Sequence, residues 1–347
     1  MGKYLLVMCF ALGCLLFVQG RAEAQSFDIV KVADGVYAGI GKPGVFSNAA
    51  FIVNEDDVVV VDTHLRPSWA RDLVAEIRKI TDKPVRYVVN THWHGDHVQG
   101  NQVYISVFGK NVEYLAQHNT REDMIKKAIP SVQEDLSKNV PETIARLQKM
   151  LSSGQGQDGK PLSEKDRQQF GEQLASQRAY LDELKQIQIT LPTITFERSL
   201  VLHKPGRDIH IYYFGKGHTR GDVVVYLPKE KVVVTGDLLT NGIPFARDSY
   251  PVEWVSTLES LRNLDWAQAI PGHGSVQQGK DQLDKLIAFM KDVVAEVQSA
   301  SKNGMNVDET KKTVDLNRHS ESFPNFKTGA PAMVERAWAE VNGKIQD

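Results

Sequence analysis

The sequence predicts an α/β protein in which two mixed sheets pack face to face with helices outside. Three observations carry this expectation: a strand, helix, strand unit in the first half, a second β/α unit in the last third, and a polar helical stretch between them. With 347 residues, 41% hydrophobic and 24% charged, the chain is long enough to bury a large core.

The first 24 residues read as a signal peptide. Lys3 precedes an apolar run from Tyr4 to Val18, and Ala22-Glu23-Ala24 forms a cleavage signal before Gln25. That run, about 15 residues, is short of the roughly 20 a helix needs to cross a bilayer, so no stable membrane insertion is expected. Ala11-Leu12-Gly13-Cys14 resembles a lipoprotein box, but Leu15 to Val18 continue the apolar core past it. The mature protein is expected to be exported, periplasmic or secreted. Both cysteines, Cys9 and Cys14, leave with the signal peptide, which removes disulfides, thiolate ligands and a cysteine nucleophile from consideration. A formal charge of −2 does not favour nucleic acid as a partner.

Val58 to Val61 is a β-branched run ending at Asp62, and Val85 to Val89 is another ending at Asn90-Thr91, as buried strands require. Between them Ser68 is placed to cap a helix carrying Trp69, Leu73, Ile77 and Ile80 at helical spacing. Residues 120–189 are rich in Gln, Lys and Glu and lack strand patterning, so they read as a helical insertion between the halves. Gly154, Gly156 and Gly159-Lys160-Pro161 break it, and Ser163 caps a second helix with Phe170, Leu174, Leu181 and Leu184 on one face. Its simplest role is a packed surface appendage; a lid or wall over a cleft is the alternative. In the second half, Val223 to Leu227, a Pro228-Lys229-Glu230-Lys231 turn and Val232 to Thr235 form a hairpin. A helix with Trp254, Leu258 and Leu261 and a last strand from Trp266 to Ile270 follow. The main domain is expected to span 25–299, and 300–347 form a helical tail, including Ala332 to Val341, without chemical signal of its own.

Thr91-His92-Trp93-His94-Gly95-Asp96-His97 carries three imidazoles and a carboxylate within six positions. Alternate residues of an extended segment face the same way, so His92 and His94 can grip one ion. Asp96 and His97, on the turn that Gly95 permits, address a neighbouring one. A lone histidine is usually structural; this density indicates metal.

With Asp62 at a strand end, His218 in Gly217-His218-Thr219, Asp237 in Thr235-Gly236-Asp237 and His273 in Pro271-Gly272-His273-Gly274, the chain resembles the metallo-β-lactamase-fold hydrolases. All five of that family's ordered signatures are present, from about Phe27 to Met290, with 120–189 as an insertion. The resemblance implies the four-layer αββα sandwich. It also implies that His92, His94 and His218 bind one metal, that Asp96, His97 and His273 bind a second, and that Asp237 bridges both. Two zinc ions suit these N/O ligands, with iron or manganese as alternatives. The implied nucleophile is a hydroxide shared by the metals, oriented by Asp96, which also shuttles its proton; Asp62 would hydrogen-bond the metal loop from behind. Asp222 reads as a turn acceptor for the His218 loop. Among the remaining histidines, His64 lies close in sequence to Asp62 and His118 begins the insertion, while His203, His210 and His319 have no metal-like company.

The expected activity is cleavage of a small-molecule carbonyl ester, lactone or amide, β-lactams included. The best-known β-lactamases place a cysteine on the second metal, which the mature chain lacks. Asp237 instead matches the bridging aspartate of hydroxyacylglutathione hydrolases (the glyoxalase II type) and lactonases. The drug-binding lysine of some lactamases corresponds to Thr240. Two other readings stay open: an iron-dependent sulfur dioxygenase-like or other redox member of the fold, and a metal-binding protein without turnover.

Overall fold

In a computed structural model describing residues 26–345 apart from 43 and 46, the valine runs lie at the centre of two sheets. The signal-peptide segment, 1–24, lies outside the described residues. The first sheet has strands β1 (Phe27–Ala33), β2 (Val36–Gly41), β3 (Ala49–Val53), β4 (Val58–Val61), β5 (Val85–Val89), β6 (Glu113–Gln117) and β7 (Ile194–Phe196), in that order across the sheet. Helices α1 (Pro67–Ile80), α2 (Gly95–Val98) and α3 (Asn101–Phe108) connect its middle, and β4, β5, β6 and β7 run parallel. Between β6 and β7 come α4 (His118–Asp123), α5 (Ile129–Glu134), α6 (Val140–Ser153) and α7 (Glu164–Leu184). The second sheet has β8 (Ser199–Lys204), β9 (Arg207–Tyr212), β10 (Val224–Leu227), β11 (Val232–Gly236), β12 (Gln268–Pro271) and β13 (Gln277–Gln278), with α8 (Pro251–Asn263) between β11 and β12. Helices α9 (Asp281–Lys302), α10 (Val307–Thr313) and α11 (Phe326–Val341) follow.

Strand periodicity explains why every valine in the runs is buried. In β4, Val59 and Val61 face the second sheet, while Val58 and Val60 face α1 and α3. In β10 and β11, Val225, Leu227, Val232 and Val234 join the core between the sheets, whereas Val224, Tyr226 and Val233 meet α8, α9 and α11. The result is helix, sheet, sheet, helix: the αββα sandwich. The helices beyond residue 299 belong to the last layer, where Met333, Val334 and Ala337 are buried with Trp254 and Phe289.

Several local expectations need correction. Ser68 is not the cap of α1: Arg66 occupies that position, Pro67 begins the helix, and Ser68 gives both its backbone N–H and its hydroxyl to Glu183 of α7 at 2.8 Å. The last long strand starts at Gln268 rather than Trp266, whose indole N–H closes the end of α8 on Leu261 O at 3.0 Å. Ser163 does cap α7, in a reciprocal box with Asp166.

The insertion lies within the first sheet rather than between the halves, because β7 follows it and pairs with β6. From His118 to Ser153 it is one continuous helical run, widened into π turns at Met124–Ala128 and Asp135–Asn139. Pro130 and Pro141 follow these turns; neither can donate a helix hydrogen bond, and the widened turns accommodate the gap. The start of the segment packs into the body of the protein, whereas α6 and α7 are largely exposed. Met124 and Ala128 are buried against Trp93 and Val98, directly under the histidine cluster. Tyr180 OH donates to Gln99 Oε1 at 3.1 Å, and Arg66 lies over Trp69 and Tyr180 while donating to Ser176 Oγ at 2.9 Å.

This placement separates the two helical stretches of the insertion energetically. Met124→Ala should cost about 2–3 kcal/mol in urea unfolding, as for a fully buried methionine, whereas the half-buried Phe170→Ala should cost less. Equal small losses would restore the appendage reading.

Candidate metal centre

Five loops meet at one end of the sandwich, each leaving or entering a core strand. Asp62 follows β4 and the His92–His97 loop follows β5; Asp237 follows β11, His273 follows β12, and the His218 loop leads into β10. This is the strands' carboxyl end for the parallel pairs β4/β5 and β11/β12, where α/β proteins place their ligands.

The structure brings all seven expected residues together in two groups: His92, His94, His218 and Asp237, and Asp96, His97 and His273. Within each group the candidate ligand atoms lie within 4.8 Å of one another. His94 Nδ1 is 3.2 Å from His92 Nε2 and 2.9 Å from His218 Nε2. Asp96 Oδ2 is 3.4 Å from both His97 Nε2 and His273 Nε2. Asp237 touches both groups: Oδ2 is 3.4 Å from His218 Nε2 and 3.2 Å from His273 Nε2, and Oδ1 is 3.4 Å from His97 Nε2. These separations match the roughly 3.3 Å between neighbouring ligands of a tetrahedral ion bound at about 2.0–2.1 Å. His97 Nε2 and Asp237 Oδ1 are buried without a hydrogen-bond partner, and a cation would satisfy both. The donor set therefore fits divalent metal.

Protonation follows burial and charge. Burial, with His97 and His94 nearby, holds His92 well below the ordinary imidazole range; burial likewise lowers His218, to about 3, so both offer lone pairs. Burial would lower His97 and His273 too, but the carboxylates facing them outweigh it: His97 is raised well above its usual range and His273 to about 9. Asp96 and Asp237, which burial alone would raise, are held low by the imidazoles of His97 and His273.

Behind the ligands stands a layer of fixed partners. Asp62 accepts from Thr91 N and Oγ1 at 2.8 and 2.7 Å and pairs with His97 Nδ1 at 2.7 Å, as the sequence suggested. Its backbone, at φ 62°, is left-handed, as is that of His64 at 68°. Asp222 accepts from Thr219 N and Oγ1 at 2.7 and 2.8 Å; burial pushes it up to about 7. Gly95 opens α2 without a positive φ; the glycine that geometry demands is Gly272, where a Cβ would stand 1.9 Å from Asp237 Oδ1.

Of the other histidines, His64 is buried, stacked on Phe27 and 3.4 Å from Ser47 Oγ. His118 is exposed beside Glu122, and His203, His210 and His319 pair with Asp208, Tyr212 and Asp292. Three residues escaped sequence reasoning. Asp248 Oδ2 lies 3.0 Å from His94 Nε2. Asn48, just before β3 of the first sheet, donates to Pro271 O and Gly274 O at 2.9 and 2.7 Å and so fixes the His273 loop. Arg220 forks onto Asp123 at 2.9 and 3.0 Å and reaches Glu122 at 2.9 Å, tying the His218 loop to α4. Asp248 and Asn48 stand in no motif, and their partners lie far away in the chain; only Arg220, inside His218-Thr219-Arg220-Gly221-Asp222, had a local cue.

Comparison with known proteins places this geometry. The family described as the metallo-beta-lactamase superfamily matches residues 43–273. A linear primary-alkylsulfatase of Pseudomonas sp. is 26% identical over 288 residues, 78% of this chain and 50% of the relative, so the chain spans about half that protein's length. A metallo-beta-lactamase type 2 of Elizabethkingia meningoseptica is 24% identical over 265 residues, 74% of this chain and 78% of that one. Among solved structures, a metallo-beta-lactamase from Pontibacter korlensis superposes with a TM-score of 0.54 at 17% identity, covering 76% of this chain and 99% of its own. One from Hirschia baltica gives 0.51 at 19%, covering 76% and 97%. At these identities the structural likeness carries the fold.

The Arg220 fork makes a testable link between the insertion and the first ligand group. Arg220→Ala leaves the buried Asp123 with Lys127, at 3.3 Å, as its remaining cation among the described residues, and should cost on the order of 3 kcal/mol in urea unfolding. Metal affinity, read by competition with a chromophoric chelator, should fall by about tenfold or more. Arg220→Lys should fall between, since it keeps the charge and loses the fork.

Proposed function

The chain belongs to the metallo-beta-lactamase superfamily, and from that premise we propose that this enzyme is a dinuclear zinc hydrolase of a carbonyl ester, lactone or amide, exported through its first 24 residues. That it is a hydrolase with a His/Asp metal site follows from the family and the clustered ligands. The observation that supports two metals is the place of Asp237 between the groups, within 3.4 Å of His218, His97 and His273. His92, His94 and His218 would hold one ion, Asp96, His97 and His273 the other, and Asp237 would bridge.

Zinc, when bound, supplies Lewis acidity and lowers the pKa of water toward 7. The chain's own residues do the rest. Asp96, ionised and 24% exposed at its side chain, is placed to accept a proton and hand it to the leaving group. Asp62 keeps His97 oriented through Nδ1, and Asp248 does the same for His94 through Nε2. The relatives' names point to two different substrates, an alkyl sulfate and a β-lactam, so identity alone does not choose between them.

Purified mature protein should carry about two zinc ions per chain by elemental analysis; one tightly held iron, with activity following iron, would favour redox chemistry. Asp96→Asn should cut turnover by about 10²- to 10⁴-fold while the first ion is retained. The two ions should also respond differently to pH. His97 and His273 both carry protons in the metal-free site, His273 up to about pH 9, so the second ion must displace two, and its affinity should rise about a hundredfold per pH unit below that value. His92 and His218 are already neutral, so the first ion should show a shallower slope. Zinc titrations at pH 6, 7 and 8 measure both slopes, and equal slopes would contradict the division of ligands.

A further inference from the structure

The cleft beside the metal centre is walled by parts of the chain that supply no metal ligand. It encloses about 390 Å³ next to Asp237 and His273, and is also lined by Ile243, Pro244 and Phe245 of the loop after β11 and Pro324 of the turn before α11. That volume falls in the lower range of small-molecule sites. Phe245 is 59% exposed, the most open of the large exposed hydrophobics among the described residues, and its ring stands 6.2 Å from that of His94. A ring left this open keeps much of its apolar area in water, which a ligand's apolar group would cover.

The loop is fixed in this position. Asn325 donates Nδ2 to Ile243 O at 2.8 Å and accepts from Ile243 N at 2.9 Å, as a neighbouring strand would. Arg336 Nε donates to Ser249 O at 2.6 Å. Gly329 packs so closely that a Cβ there would lie 2.9 Å from Ile243 Cβ. The loop is thus anchored on both sides of Phe245, at Ile243 and at Ser249, which lowers the ordering cost a ligand would meet.

The wall's own polar side chains are uncharged, and most of their groups are engaged: Asn241 Oδ1 accepts from Gln277 Nε2 at 3.0 Å. Both ends of the Asn325 amide are taken by Ile243, and Thr240 Oγ1 donates to Gly242 O at 2.9 Å. Among the described residues no Lys or Arg lines the cleft; Arg247, two positions beyond Phe245, is exposed outside the lining. An ionised substituent laid on this wall would lose hydration and meet no cationic Lys or Arg side chain in return.

We infer that the substrate arm lying against this wall is uncharged and apolar, and that Phe245 selects it. The substrate class is thus a neutral ester or lactone with a short alkyl or aryl arm, rather than one whose arm ends in a carboxylate. This inference rests on the hydrolase reading above, and the test separates the two.

Zinc-loaded protein is assayed with p-nitrophenyl acetate, p-nitrophenyl butyrate and the p-nitrophenyl monoester of succinic acid. The wild type should favour butyrate over the succinate monoester by at least about tenfold in kcat/KM. Phe245→Ala should lower the butyrate-to-acetate ratio by about tenfold, mainly through KM, and Phe245→Leu should restore part of it. Phe245→Arg should shift preference toward the succinate monoester. Preference for succinate in the wild type, or an unchanged butyrate-to-acetate ratio in Phe245→Ala, overturns the inference. If none of the three esters is cleaved, the hydrolase reading fails for such substrates, and the wall is judged by binding alone. In that case 4-nitrophenyl propyl ether, which cannot be hydrolysed, should bind the wild type about five- to tenfold more tightly than Phe245→Ala, by quenching of tryptophan fluorescence. Equal affinity overturns the inference without reference to turnover.

Discussion

Seven titratable side chains converge where water is largely excluded, and this crowding of charge is the constraint on which the rest of the structure depends. His92, His97 and His218 have no measurable exposure and Asp237 is 6% exposed. Removing such groups from water costs several kcal/mol per ion, and the ligand atoms cannot all satisfy one another. Where the outward nitrogen of an imidazole is fixed, the inward one is left for a cation, although the outward Nδ1 of His218 is buried with no hydrogen-bond partner among the described residues. Asp62 fixes His97 and Asp248 fixes His94. The left-handed backbone at Asp62, a strain of about 1–3 kcal/mol, persists because three hydrogen bonds hold its carboxylate.

The same constraint explains why the valine runs must be buried on both faces. Asp96 and His97 belong to the first sheet's loops, Asp237 and His273 to the second's, so the second ligand group is split across the sandwich. Its geometry is only as constant as the contact between the sheets. Val59, Val61, Val89, Val225, Val234 and Ile270 supply that contact, and Asn48 pins the first sheet directly to the His273 loop. A gap of one methyl group in this core would be felt at the metal centre, because close-packed interiors transmit displacement.

What the sequence disclosed and what it hid divide along the range of the interactions. The β4, β5, β10 and β11 runs, the Ser163 cap and the histidine cluster were legible because their signals are local: periodicity, capping chemistry and ligand density within a few residues. Strands β1 to β3, β8 and β9 were not marked; β1 and β8 are partly exposed along most of their length, which dilutes the hydrophobic run. Ser68 was misassigned because a serine before a helical pattern has the composition of a cap, while its actual partner, Glu183, lies 115 residues away. Asn48, Asp248 and the Asn325 pairing with Ile243 were invisible for the same reason: an isolated Asn or Asp carries no pattern, and only the fold shows what it faces. The insertion misled because its composition is that of a solvated helix, although Met124, Ala128 and Tyr180 turn inward.

These long-range contacts also show how the molecule separates chemistry from recognition. Ligands come from short loops at the ends of core strands, where rotamers and backbone are over-determined. The substrate-facing wall comes from the loop after β11 and the turn before α11, held by Asn325 and Arg336, while the insertion braces the His218 loop through Arg220. Neither the insertion nor the C-terminal helices contribute a ligand, so both can change in sequence without disturbing the metal set, provided those anchoring bonds and the buried contacts of Met124, Ala128, Met333 and Ala337 survive. Function on a shared fold is then set by elements that the ligand motif does not include. Under the proposed function that element is the anchored apolar face beside Asp237 and His273, which would confine the variable part of the substrate while the carboxylates and imidazoles of the metal site act on the constant part.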